Sequence, residues 1–192
     1  MDFVFWQNII SIHQKAFLEA LVKQPGVGKV LLVVEHELTP ARKSMGWETP
    51  EIQGVEIVIS PSDSSINDIV QANKDAVHTM GGIRIGNMIT RAFDACIKYK
   101  CRTGIMTEPY DDAGLKGKLR TAKYRYYKLR YFKQIHFVLA IGRQGVKQYT
   151  DLGFDTKRLF PWAYFITLEQ RETSVIPSGE VRMIYAGRLE EP

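Results

Sequence analysis

Short apolar runs that are continuous rather than alternating constrain this chain more than any other feature. FVFW (3–6), KVLLVV (29–34), VEIVI (55–59), TGIMT (103–107), HFVLAI (136–141) and VRMIY (181–185) are rich in Val, Ile and Phe, and a shorter run lies around Ala76 to His78. A strand with one wet face alternates apolar and polar residues. One that is apolar at successive positions is buried on both faces, the condition of a parallel sheet covered by helices on each side. Helical patterns fill the intervals. Ser11 to Gln24 carries Ile12, Ala16, Leu18 and Leu21 inward and stops at Pro25 and Gly26, and a second helix starts at an N-cap near Ser62 to Ser65 and carries Ile66, Ile69 and Val70. Ile85 to Lys98, Gly114 to Gln134, and Gln144 to Leu152 with Gly153 behind it complete the series. The alternation predicts an α/β fold, a Rossmann-like doubly wound parallel sheet flanked by helices with right-handed crossovers.

The chain has 192 residues, 45% hydrophobic and 24% charged, enough to fill one core with a fragment of a second. ETSVIPSGE (172–180), polar and broken by Pro177 and Gly179, reads as a linker. Residues 1–175 are therefore expected to form one domain, and 176–192 the linker and first strand (MIYAGRL) of a second domain cut short. Cys96 and Cys101, five positions apart, match neither a zinc pattern nor a disulfide framework, and suggest a reducing compartment. MDFVFWQNII lacks the basic start of a signal peptide, and no apolar stretch is long enough to span a bilayer. The expected location is the cytoplasm, with any membrane contact peripheral.

The net charge of +5 is local in origin. KGKLRTAKYRYYKLRYFK (116–133) contains Lys116, Lys118, Arg120, Lys123, Arg125, Lys128, Arg130 and Lys133 and no acid; taking these eight from the 26 basic residues leaves 18 against 21 acidic ones. At 100° per residue, Leu115, Leu119, Ala122, Tyr126 and Leu129 form one stripe, expected to face the core, with Tyr124, Tyr127 and Tyr131 opposite, framed by cations. Cations without acids repel at i, i+4 unless an anionic partner offsets them. Tyrosines among Lys and Arg fit an anionic membrane surface contacted through the 114–133 helix. Single-stranded nucleic acid stacked on the tyrosines is the alternative.

In open parallel sheets ligands bind beyond the carboxyl ends of the strands. Asn8, Ser11 and His13 follow the first run, His78, Gly81 and Gly82 the short one, and Glu108, Asp111 and Asp112 the TGIMT run. His13 either bonds its own loop or meets a ligand, His78 is either structural or catalytic, and Glu108 either caps the next helix or enters the site. Asp111 and Asp112 read as turn and capping residues, and His36 and His136 as surface or filler positions. GGIRIG (81–86) is not GxGxxG, though glycines before a helix let backbone amides approach a phosphate. GVGK (26–29) precedes a strand and is a turn, not a P-loop.

Five stretches together resemble the N-terminal half of a bacterial GT-B glycosyltransferase of the large retaining family four: FVFWQNIISIHQKAFLEAL, VHTMGGIRIG, TEPYDDAGLKGKLR with the basic helix behind it, VLAIGRQGVKQYTDLGFDTKRLFPWAYF and MIYAGRLEEP. The resemblance spans nearly the whole chain. It implies a hexosyltransferase that moves a sugar from a nucleotide-sugar donor to a glycan or lipid-linked acceptor hydroxyl with retention, without a cofactor or metal. It implies that His78 touches the donor sugar as the catalytic histidine, that the loop at Asn8 and Ile9 approaches the donor diphosphate, and that Arg188 binds a phosphate. His13 and Glu108 would face the acceptor, and Lys116 and Arg120 a lipid-linked phosphate. Where many members carry Gly-Gly, this chain has Gln7-Asn8-Ile9-Ile10. The fragment alone is expected to be inactive. Two other readings stand beside this one: a basic α/β nucleic-acid-binding module, and a non-catalytic Rossmann-like interaction domain.

Overall fold

The structure, a computed structural model, describes residues 1–38, 43, 44, 46, 48–161 and 162–166. The linker, the MIYAGRL strand and Arg188 lie outside the described residues. Val30 to Val34 are five successive buried residues. Such a segment finds apolar neighbours on both faces only inside a covered parallel sheet. It forms β2 (Val30–His36), beside β1 (Phe3–Ile9) and β3 (Glu56–Ile59). With β4 (Val77–Met80), β5 (Arg102–Thr107), β6 (Ile135–Ile141) and β7 (Leu159–Trp162) they make one sheet in the order β3-β2-β1-β4-β5-β6-β7. Every neighbouring pair is parallel. The doubly wound α/β expectation holds.

Right-handed crossovers explain the two layers. From β1 the chain winds one way to β3, and from β4 the other way to β7, so the connecting helices fall on opposite faces. α1 (Ile12–Val22) packs Leu18 against Phe5, Leu32 and Val34 on one face. α2 (Asp63–Ala72), α3 (Asn87–Tyr99), α4 (Gly114–Tyr131) and α5 (Gly142–Asp151) cover the other, around Trp6, Val33, Met80, Phe93, Ile105 and Tyr149. Ser11 and Ser62 cap α1 and α2 as the sequence suggests, accepting from the backbone of His13 and Ser65. Gly153, at φ +84°, ends α5. Ile12, expected inside, is the first residue of α1 and is exposed. β7 escaped the sequence reading because Pro161 interrupts it; at the edge of the sheet, proline is tolerated.

The basic helix is the principal correction. α4 is turned the other way round from the expectation: Leu115, Leu119, Tyr126 and Leu129 are 76%, 65%, 59% and 77% exposed, while Tyr124, Tyr127 and Tyr131 pack against the core. Gly117 marks the side that turns inward. It is the buried residue of the helix, and any Cβ there would overlap the backbone of Asp112. Gly117, Tyr124 and Tyr131 lie seven apart, on one face. The tyrosines also find ring partners inside: Tyr124 stacks on Tyr110 at 4.6 Å and Tyr131 meets Phe93 edge-on at 5.3 Å. Cations seal their outer edges, Lys123 over Tyr127 at 5.5 Å and Arg130 over Tyr131 at 5.3 Å.

This orientation is testable by stability alone. Gly117→Ala should lower the unfolding free energy by about 1–3 kcal/mol, as overpacking does, whereas Leu129→Ser should change it by no more than about 0.5 kcal/mol, as at an exposed site. Urea denaturation of both variants decides, and the reverse ranking would restore a core-facing leucine stripe.

Candidate functional site

β1 lies between β2 and β4, where the direction of winding reverses, and such a switch leaves a crevice beyond the strand ends. A cleft of about 510 Å³ opens there, within the roughly 300–1,000 Å³ of small-molecule sites. β1 supplies Gln7, Asn8 and Ile9, the turn after β4 supplies Gly81 and Gly82, and the end of β5 leads to Glu108. His13 and Gln14 come from α1, Tyr124 from α4, and Tyr164 from the segment after β7. The chain beyond β7 returns to α1: Phe165 N–H donates to the His13 carbonyl at 3.1 Å, and the Tyr164 and His13 rings lie 5.1 Å apart.

The electrostatics are those of an uncharged polar surface with one carboxylate. None of the described residues lining the cleft is Lys or Arg. Glu108 is exposed and does not cap the next helix, whose N-cap is Ala113 without a side-chain bond. Two amide atoms at the cleft, Gln7 Nε2 and Gln14 Oε1, are buried without a hydrogen-bond partner among the described residues, a donor and an acceptor in positions where burial is costly unless something bonds them. Gly81 leaves room for Gln7, since a Cβ there would sit 2.7 Å from Gln7 Oε1 and displace the amide. Burial and the neighbouring Tyr110 hold the Tyr124 hydroxyl above its ordinary pKa.

His13, Glu108, Asn8 and Ile9 of the expected site residues thus line one cleft. Asn8 Oδ1 accepts the Ile9 N–H at 3.0 Å, so that one backbone donor is engaged within the loop that the resemblance places near the donor diphosphate. The helix start after the glycines is also taken: Glu35 Oε1 accepts the Met88 N–H at 3.3 Å at the beginning of α3, so the protein's own carboxylate stands where a phosphate would. Lys116 and Arg120 do not line the cleft. Arg120 bonds the Asp111 carbonyl and pairs with its carboxylate at 3.6 Å, while Asp111 Oδ1 accepts the Ala113 N–H, the turn role expected of it. What α4 brings to the cleft is Tyr124, missed because the periodicity was assigned to the wrong face.

His78, the expected catalytic histidine, is not brought to the cleft. It is 0% exposed on β4, on the α3 side of the sheet. Nδ1 accepts from Trp6 Nε1 at 3.1 Å, so the ring proton sits on Nε2, which donates to the Asn73 carbonyl at 2.9 Å. Both nitrogens are engaged within the core. A strand-end position shows that a residue is near a site, but only its face of the strand decides whether it enters.

No protein-family model matches this chain, and no curated protein matches it. Among the described residues no helix is long and apolar enough to cross a membrane.

The placement of His78 makes it a stability residue. His78→Phe leaves the buried Trp6 N–H without an acceptor and should lower the unfolding free energy by about 1–3 kcal/mol. Glu108→Gln, at an exposed position, should stay within about 0.5 kcal/mol of the parent. Urea titrations of the two variants check this.

Proposed function

We propose that this chain is the acceptor-side domain of a retaining, nucleotide-sugar-dependent glycosyltransferase that works at an anionic membrane surface. The observation that carries the reading is the chemistry of the cleft. A neutral ligand rich in hydroxyls, a sugar, needs donors and acceptors in alternation and flat rings against its C–H faces. Gln7, Gln14, His13 and Glu108 offer the first, and Tyr124 and Tyr164 the second. A cleft with no Lys or Arg among its described lining residues suits an acceptor sugar better than a diphosphate, so donor-phosphate binding belongs on this reading to the following domain, with Arg188 as its candidate. His13 and Glu108 orient the acceptor hydroxyl toward the donor carbon. Retention, the donor class and the second domain rest on the resemblance in the sequence.

The outward face of α4 supports the membrane part. Leu115, Leu119 and Leu129 project to solvent with Lys118 and Arg125 on one flank and Lys123 and Arg130 on the other. That is the arrangement of a helix that lies in a headgroup layer, apolar side down, with cations meeting anionic lipid. Each such cation contributes about 1 kcal/mol near an anionic leaflet. Among the described residues only Arg120 of the eight cations has a carboxylate partner, which leaves the others available. Tyr124 on the opposite side of the same helix lines the cleft, so docking would bring the cleft close to a lipid-linked acceptor. The nucleic-acid reading requires a tyrosine platform facing solvent, and Tyr124, Tyr127 and Tyr131 pack inward.

Two experiments test the parts separately. In the complete natural reading frame, His13→Ala and Glu108→Gln should each lower kcat/KM for the acceptor by about 10²-fold or more, the scale of a lost positioning group, with donor KM unchanged; transfer that survives both variants would sink the acceptor assignment. Flotation of the 192-residue chain with phosphatidylglycerol vesicles should exceed that with phosphatidylcholine vesicles, and should be lost in Leu115→Ser/Leu119→Ser/Leu129→Ser. Flotation unaffected by these leucines would remove α4 as the contact.

A further inference from the structure

Cys96 and Cys101 are separated by a spacing that matches no zinc motif, yet the end of α3 brings them to one point. Lys100 adopts the left-handed conformation at φ +57° and turns the chain back, and the Cys101 N–H donates to the Cys96 carbonyl at 2.9 Å. This six-to-one bond of a helix C-terminus sets the side chains at its two ends against each other. β4 runs past the same point with His78. The two Sγ atoms and a ring nitrogen of His78 lie within 4.8 Å of one another, and all three residues are buried.

We propose that His78, Cys96 and Cys101 form a buried binding site for a thiophilic divalent d¹⁰ ion, Zn²⁺ by chemical class, which clamps the C-terminal end of α3 to β4. Two thiolates and an imidazole are ligands such an ion selects. With metal–sulfur and metal–nitrogen bonds of about 2.3 and 2.0–2.1 Å, ligand atoms stand about 3.3–3.8 Å apart, so a small closing of the present triangle completes the set. The charge also balances. Both thiols give up a proton on binding, and two thiolates neutralise the dication, so the apolar core receives a neutral group instead of an ion. The Thr103 hydroxyl, which donates to the Cys101 carbonyl at 3.2 Å, lies beside the same point.

Of the two thiols only Cys101 is polarised in this direction, and removing the Cys96 proton is a cost of binding. The hydrogen bond from Cys96, aided by His78, holds the Cys101 thiol below its ordinary range, and the same bond together with burial raises that of Cys96. Binding has a second cost. His78 must release either the Trp6 N–H from Nδ1 or the Asn73 carbonyl from Nε2, so metal uptake perturbs the Trp6 indole that stacks beside the imidazole at 6.3 Å. The site is enclosed by core residues and apart from the cleft, so its role is structural and does not depend on the glycosyltransferase reading.

The test uses the 192-residue chain, reduced and stripped of metal with a chelator, then titrated with Cd²⁺ and with Zn²⁺. The expected result is a thiolate-to-cadmium charge-transfer band that saturates at one ion per chain, release of up to two protons per ion, and a thermal midpoint that rises with free Zn²⁺ as mass action requires. Cys96→Ala and Cys101→Ala, each confirmed as folded by circular dichroism without metal, should lose the band. His78→Gln should weaken binding by more than about tenfold, the least that even an outer partner of a metal site commands. No band in the folded parent chain, a band that persists in Cys96→Ala/Cys101→Ala, or a midpoint that falls with Zn²⁺ because the unfolded chain binds it better would each overturn the proposal.

Discussion

β1 is hydrogen-bonded on both edges and buried on both faces, and the rest of the molecule is arranged around that double burial. Its register with β2 runs from Phe3↔Val30 to Ile9↔His36 and with β4 from Phe3↔Val77 to Trp6↔Met80. Because β4 stops earlier than β2, β1 projects past it, and Gln7, Asn8 and Ile9 enter the space that the reversal of winding leaves open. Alternation along the same strand does the rest. Trp6 points into the α3 face and fixes His78, while Gln7, one residue on, reaches the cleft.

α4 shows how a local pattern can be legible and still be assigned to the wrong side. Its leucines and its tyrosines are both apolar stripes at helical period, and intrinsic hydrophobicity favours putting the leucines inside. One local close approach and one set of tertiary contacts reverse this. The helix comes so close to the Asp112 backbone that only a glycine fits at the contact, and the tyrosines find Tyr110, Tyr149 and Phe93 with which to stack. Gly117 was the available signal, since a glycine within a helix generally marks a close approach. The leucines are then left on the surface among cations, an apolar face that water does not favour.

The cleft was partly legible for a related reason. The rule that ligands gather beyond the carboxyl ends of parallel strands needs only strand positions, and it located His13, Glu108 and the Asn8-Ile9 loop. It could not tell that Glu35, remote in sequence from the glycine turn, reaches across to the start of α3 and occupies the place of an anion. Nor could it tell which face of β4 carries His78. Cys96 and Cys101 fail as a motif in sequence for the same reason: their third partner comes from another strand.

The sequence by itself determined the architecture, because continuous apolar strands alternating with capped amphipathic helices have few ways to bury both kinds of surface, and right-handed crossovers leave essentially one. It also determined that a dense basic stretch would form a helix with no acid to balance it. Only the tertiary structure decided which side of that helix meets the core, which histidine reaches the cleft and which stays within the sheet, and that the two cysteines share a point with one of them. Those outcomes depend on contacts between segments far apart in the chain, where a ring contact or one added hydrogen bond outweighs any local preference.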